Sequence, residues 1–127
     1  MNEREAVNKF GELLMTDLRD RTIDFFELLM KGHWKGSELQ QLQFEMQSFD
    51  EKQIEIFRRV LIRSLDSGLH DFLFKLQEQA DFDNEIEINV QGINIIQASD
   101  GLHGELFTED GWFANYSKYG EYNKEEV

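Results

Sequence analysis

Apolar residues recur at helical spacing over the first two thirds of the chain, and the period changes near Asp81. Asn2 and Glu5 stand at capping-box spacing ahead of Val7, Phe10, Leu14 and Leu18, a pattern that predicts a helix from about residue 3 to 19. Arg19-Asp20-Arg21-Thr22 then reads in two ways. It is a break before a second helix carrying Phe25, Phe26, Leu29 and Met30, or an exposed turn within one long helix. Gly32 suits a helix end, because glycine accepts the left-handed conformation that closes helices. Ser37 with Gln40 opens a short helix with Leu39, Leu42 and Met46 inward, and Asp50 with Gln53 opens a long one. Its apolar stripe runs through Ile54, Phe57, Leu61, Leu65, Gly68 or Leu69, Phe72 and Leu76. Gly68 inside that stripe marks a kink or the close approach of another backbone, since an interior glycine costs about 1 kcal/mol relative to alanine.

After Ala80 the period becomes two. Glu85, Glu87 and Asn89 alternate with Ile86, Ile88 and Val90, which predicts a half-buried strand with its carboxylates outward. Gln91-Gly92 turns, Ile93, Ile95 and Ile96 form a second strand, and Ser99-Asp100-Gly101 turns again. Glu105 to Glu109 and Trp112 to Ser117 flank Asp110-Gly111, a strong hairpin signal. The expected fold is therefore α+β: an N-terminal helical layer over residues 1–80, packed on one face of a four-stranded antiparallel meander over 81–117. A polar tail follows over 118–127. At 127 residues this is one domain with enough apolar sequence for a single core.

Charge sharpens the picture. The net charge is −13. Residues 1–75 hold 14 acidic and 11 basic residues (net −3), and residues 76–127 hold 12 and 2 (net −10). The predicted sheet thus carries the field, which disfavours direct nucleic-acid contact and anionic membranes. No apolar run approaches the ~20 residues that span a bilayer. The first ten residues do not read as a signal peptide, and there is no Cys, so no disulfide framework and no zinc–thiolate site. Together these point to the cytoplasm.

Several candidate chemistries compete with plainer structural readings. His70 with Asp71, and His103 with Asp100, offer acid–base or metal-ligand chemistry, so a small metal-dependent hydrolase is one reading, conditional on the two rings meeting in space. No HExxH, Gly-X-Ser-X-Gly or phosphate-loop spacing accompanies them. Asp81-Phe82-Asp83-Asn84-Glu85 resembles the start of a calcium loop, but Ile86 and Gly92 occupy the positions that need Gly and Glu. No cofactor and no metal are expected. Aromatics ringed by carboxylates mark a protein-binding surface. The residues expected to carry it are Glu85, Glu87, Glu105, Glu109, Asp110, Trp112 and Tyr116, with Trp112 as the anchor.

The stretch ELFTEDGWFANYSKYGEY, Glu105 to Tyr122, gathers these features. In size, charge and lack of catalytic signatures the chain resembles the small acidic immunity proteins of bacterial toxin–immunity systems. That resemblance implies a non-catalytic module that neutralises a basic protein partner, such as a toxin domain. A further alternative is a homodimeric structural subunit joined through an edge strand or the long helix after Asp50, so both monomer and homodimer are open.

Overall fold

A computed structural model of the chain describes residues 1–82 and 85–122, with Ser37 described as backbone only. Helix α1 (Glu3–Leu13) begins with the expected capping box. The Asn2 side chain accepts from the Glu5 N–H at 2.8 Å, and the Glu5 carboxylate accepts from the Asn2 N–H at 3.0 Å. The helix does not break at Arg19. It passes through a π-helical segment, Leu14–Arg19, directly into α2 (Asp20–Met30). In that segment a backbone N–H reaches five residues back, as Asp20 does to Met15. The wider turn shifts the buried stripe by one position. Met15 and Arg19 point inward, and Leu18, expected inside, is 44% exposed.

Helix α3 (Ser37–Met46) packs beside α2. Its buried contact is Gln43, whose amide bonds the N–H and the C=O of Trp34, both at 2.9 Å. Helix α4 (Glu51–Phe82) opens on the second capping box, in which Asp50 and Gln53 exchange bonds at 2.8 and 2.9 Å. It buries Ile62, Leu69, Leu73, Leu76 and Gln77, and leaves Phe57 and Phe72 exposed.

The four-stranded meander is not there. Its place is taken by a two-stranded hairpin, β1 (Asn89–Val90) and β2 (Ile93–Asn94), and by three short helical pieces: α5 (Ile95–Ala98), a 3-10 turn (Leu102–Leu106) and α6 (Trp112–Tyr116). Gln91 and Gly92 make the two-residue turn, both at positive φ (49° and 82°), as a primed hairpin turn requires. The protein is mostly helical.

The reasons lie in where the backbone hydrogen bonds go. Asn94 caps α5 by accepting from the Ile96 N–H at 3.1 Å, so the chain coils where a second strand was expected to continue. Ile95 and Ile96 are both fully buried, which adjacent residues of a one-sided strand cannot be. The buried Gln77 of α4 donates to the Ile96 C=O at 3.1 Å and accepts from the Leu102 N–H at 2.9 Å. Backbone groups that would have joined a ladder are satisfied by this one amide instead. The core joins Ala6, Val7 and Met15 of the first helix to Leu69, Leu73 and Leu76 of α4 through Ile95, Ile96, Leu102, Leu106, Trp112 and Phe113. The C-terminal third is thus a wedge between two long helices.

Candidate functional site

The residues expected to contact a partner divide in two. Glu85, Glu87, Glu109 and Asp110 are exposed, and none has a hydrogen bond or ion pair with another described residue. Ile86, expected inward, is 43% exposed between Glu85 and Glu87. Phe107, two residues before Glu109, is 39% exposed. Asp110 lines a polar depression with Arg4, Asn8 and Glu105.

The other three face the protein itself. Glu105 accepts from Arg4 Nη1 at 2.9 Å and from Ser99 Oγ at 2.8 Å, and this hydrogen bond raises the Arg4 pKa above its ordinary value. Trp112 is 1% exposed, so it is a core residue and not a surface anchor. Its ring meets the Phe10 ring edge-on at 6.1 Å and its Nε1 donates to Asn8 Oδ1 at 3.3 Å. Tyr116 is half-buried against the same core. Asp110-Gly111 does not turn a hairpin. Gly111 precedes the first residue of α6, and a Cβ there would overlap the Phe107 carbonyl, so close backbone approach explains this glycine.

His70 and His103 do meet, with ring centroids 5.3 Å apart. His70 Nδ1 lies 3.2 Å from Asp71 Oδ1, and the His103 ring packs against Phe74 at 5.1 Å. His103 Nδ1 is enclosed without a hydrogen-bond partner. Asp100 is exposed, and its charge bears on Arg4. Among the described residues no three His, Cys, Asp or Glu side chains gather where they could hold one metal ion. Among the described residues the pair has no third protein ligand of the kind that a hydrolytic zinc site uses. Of the calcium-like stretch, Asp83 and Asn84 lie outside the described residues.

A second polar cluster was not anticipated. Arg19, fully buried, forks onto Asp66 of α4 through Nε (2.7 Å) and Nη2 (3.0 Å). Its Nη1 donates to Ser117 Oγ and to the Gly120 C=O, both at 2.8 Å, and its guanidinium lies over the Phe113 ring at 4.3 Å. Next to it the buried Asp20 accepts from Ser117 Oγ at 2.6 Å and from the Lys118 N–H at 3.0 Å. One turn on, Asp24 accepts from Lys118 Nζ at 2.8 Å and from the Tyr119 hydroxyl. Ser117, expected to end a strand, and residues 118–120, expected to open a polar tail, are clasped to the first helix; residues 123–127 lie outside the described residues. The only advance sign was Arg19-Asp20-Arg21 with Asp24, a charged run at helical spacing inside an apolar stripe.

Burial raises the Asp24 carboxyl, but the bonds from Lys118 and Tyr119 outweigh it, and its pKa lies below the ordinary value. Burial and the bond to Asp24 push the Tyr119 phenol up. A phenol raised on folding contributes stability fully below its unfolded value, ~10, and loses it as pH rises through the folded value. A spectrophotometric titration is therefore expected to show a tyrosinate step above the ordinary phenol range. Tyr119→Phe should abolish that step; its persistence would show that Tyr119 is not the group held by Asp24.

No protein-family model matches the chain, and no curated protein and no solved structure matches it.

Proposed function

We propose that the protein is a non-catalytic binding module that neutralises a basic protein partner, in the manner of an immunity protein or antitoxin. The contact is redrawn from a sheet face to two loop segments, Glu85–Glu87 and Phe107–Asp110. One observation carries the reading: Glu85, Glu87, Glu109 and Asp110 are exposed and accept nothing from the other described residues. Four described cations are paired with other carboxylates. Arg4 holds Glu105, Arg19 holds Asp66, Arg58 holds Glu27 and Glu55, and Lys118 holds Asp24. Each acidic segment also presents one exposed apolar side chain, Ile86 or Phe107. An apolar contact rimmed by charge is the usual composition of a transient protein interface, and an acidic field steers a basic partner and repels acidic ones.

The test is carboxyl-to-amine cross-linking in the native host, read by mass spectrometry. Cross-links are expected from these four residues to lysines of one basic protein. Capture of that protein should fall by about tenfold or more when Glu85 and Glu87, or Glu109 and Asp110, become Lys, and also when salt rises from about 0.1 to 0.5 M. Capture that ignores both changes would overturn the reading.

A further inference from the structure

The outward face of α4 carries exposed apolar side chains. Ile56, Val60 and Phe74 stand on it at 43, 58 and 45% exposure, each a large apolar side chain that the fold covers only in part. Between them lie Ser64, Ser67 and Gly68, all exposed. Gly68 sits in the interior of a 32-residue helix, where glycine is unfavourable relative to alanine. No described residue lies within 4 Å of where its Cβ would stand, so no contact among the described residues requires its absence. Gly11 and Gly111 differ in this respect, because each gives way to an atom of the same chain.

The order of residues on this face is self-complementary about Ser67. Arg63 lies four residues before Ser67 and Asp71 four after; Val60 lies seven before and Phe74 seven after. Steps of four and seven keep these positions on one helical face. We propose that α4 packs antiparallel against α4 of a second copy, with the two-fold axis passing beside Ser67. Reversal of direction sets Arg63 of each chain opposite Asp71 of the other and Val60 opposite Phe74, so every contact occurs twice, as an isologous interface requires. Ser67 at the centre, with Ser64 one turn before it, lets the helices approach at the short end of the 8–10 Å range of packed helices. Farther out, Lys52 comes to the end of the partner helix that carries Asp81.

A parallel arrangement would place Arg63 on Arg63 and Asp71 on Asp71. A basic partner would leave Arg63 and Lys52 opposed by like charge. Arg63 also has a contact within its own chain, and its five N–H donors serve both. The inference stands apart from the carboxylate surface, because it uses none of Glu85, Glu87, Glu109 and Asp110.

The chain has no cysteine, so one introduced thiol reports the axis. Oxidised Ser67→Cys is expected to form a covalent dimer rapidly, because sulfurs beside the two-fold come within disulfide reach. Glu45→Cys, on the exposed side of α3, should not. Sedimentation of the full-length chain should show a dimer that Val60→Glu dissociates with its circular dichroism unchanged. Arg63→Asp and Asp71→Arg should each weaken it about tenfold, two ion pairs being lost per dimer, and the two together should restore it. A chain that stays monomeric at all attainable concentrations would overturn the proposal. So would a dimer indifferent to Val60→Glu, equal cross-linking at positions 45 and 67, or a double exchange that fails to rescue.

Discussion

Arg19→Ala is expected to cost about 3–5 kcal/mol of folding stability, the range for removing one member of a buried ion pair. The side chain is fully enclosed and makes four hydrogen bonds, to Asp66, Ser117 and the Gly120 carbonyl. Alanine removes the charge that Asp66 pairs with and leaves Asp20 short of its neighbour across Ser117. It also opens a void over the Phe113 ring. Urea unfolding followed by circular dichroism measures the loss, and limited proteolysis after Lys118 reports release of residues 117–120. Arg19→Lys should fall between the two, since a single ammonium keeps the charge but cannot reproduce the planar fork. A loss below about 1 kcal/mol, the scale of an exposed pair, would mean that this guanidinium is solvated.

Gly11→Ala should destabilise by about 3 kcal/mol, opposite in sign to helix propensity, which favours alanine by ~1 kcal/mol. A Cβ at Gly11 would overlap the indole of Trp112, which is itself 1% exposed and cannot retreat toward solvent. The clash and the ring are one interaction, so the effects should not add. Trp112→Leu alone leaves a cavity costing several kcal/mol, and Gly11→Ala should then become nearly neutral in that background. Thermal unfolding of the four proteins of the cycle measures this. Additive losses would show that the ring does not lie against Gly11.

What the sequence disclosed follows from the range of the interactions involved. The capping boxes Asn2 with Glu5 and Asp50 with Gln53 are exchanges between residues three apart, and the Gln91-Gly92 turn is likewise a local matter. The long helix was likewise visible from its period. The wedge was not. Ile86 to Ile96 alternates well enough to suggest a sheet, yet Gln77, about twenty residues upstream, supplies the hydrogen bonds that let Ile95 and Ile96 coil. Asp110-Gly111 has the composition of a hairpin turn, but the glycine is there because the Phe107 carbonyl lies against it. The π-helical turn was hidden for a similar reason. Arg19, which that turn brings inward, is held by Ser117 and Gly120, partners about a hundred positions away. The surface chemistry was partly readable. Glu85, Glu87, Glu109 and Asp110 are exposed, as their charge suggests, whereas Trp112 lies in the core, where Gly11 makes room for it, and Glu105 is partly buried with Arg4 as its partner.

The clasp between the first helix and residues 117–120 also sets an order of events during synthesis. Arg19 leaves the ribosome 47 residues ahead of Asp66 and roughly a hundred ahead of Ser117 and Gly120, the groups that bond its guanidinium. At translation speeds of about 5–20 residues per second, the nascent helix must keep that cation hydrated for several seconds. Its inward face therefore cannot settle until the downstream strap arrives, and closure of this contact is a late step of folding. Ribosome-stalled chains cut short before Ser117 should accordingly stay protease-sensitive around Leu14–Arg19, while chains extended past Tyr122 should not.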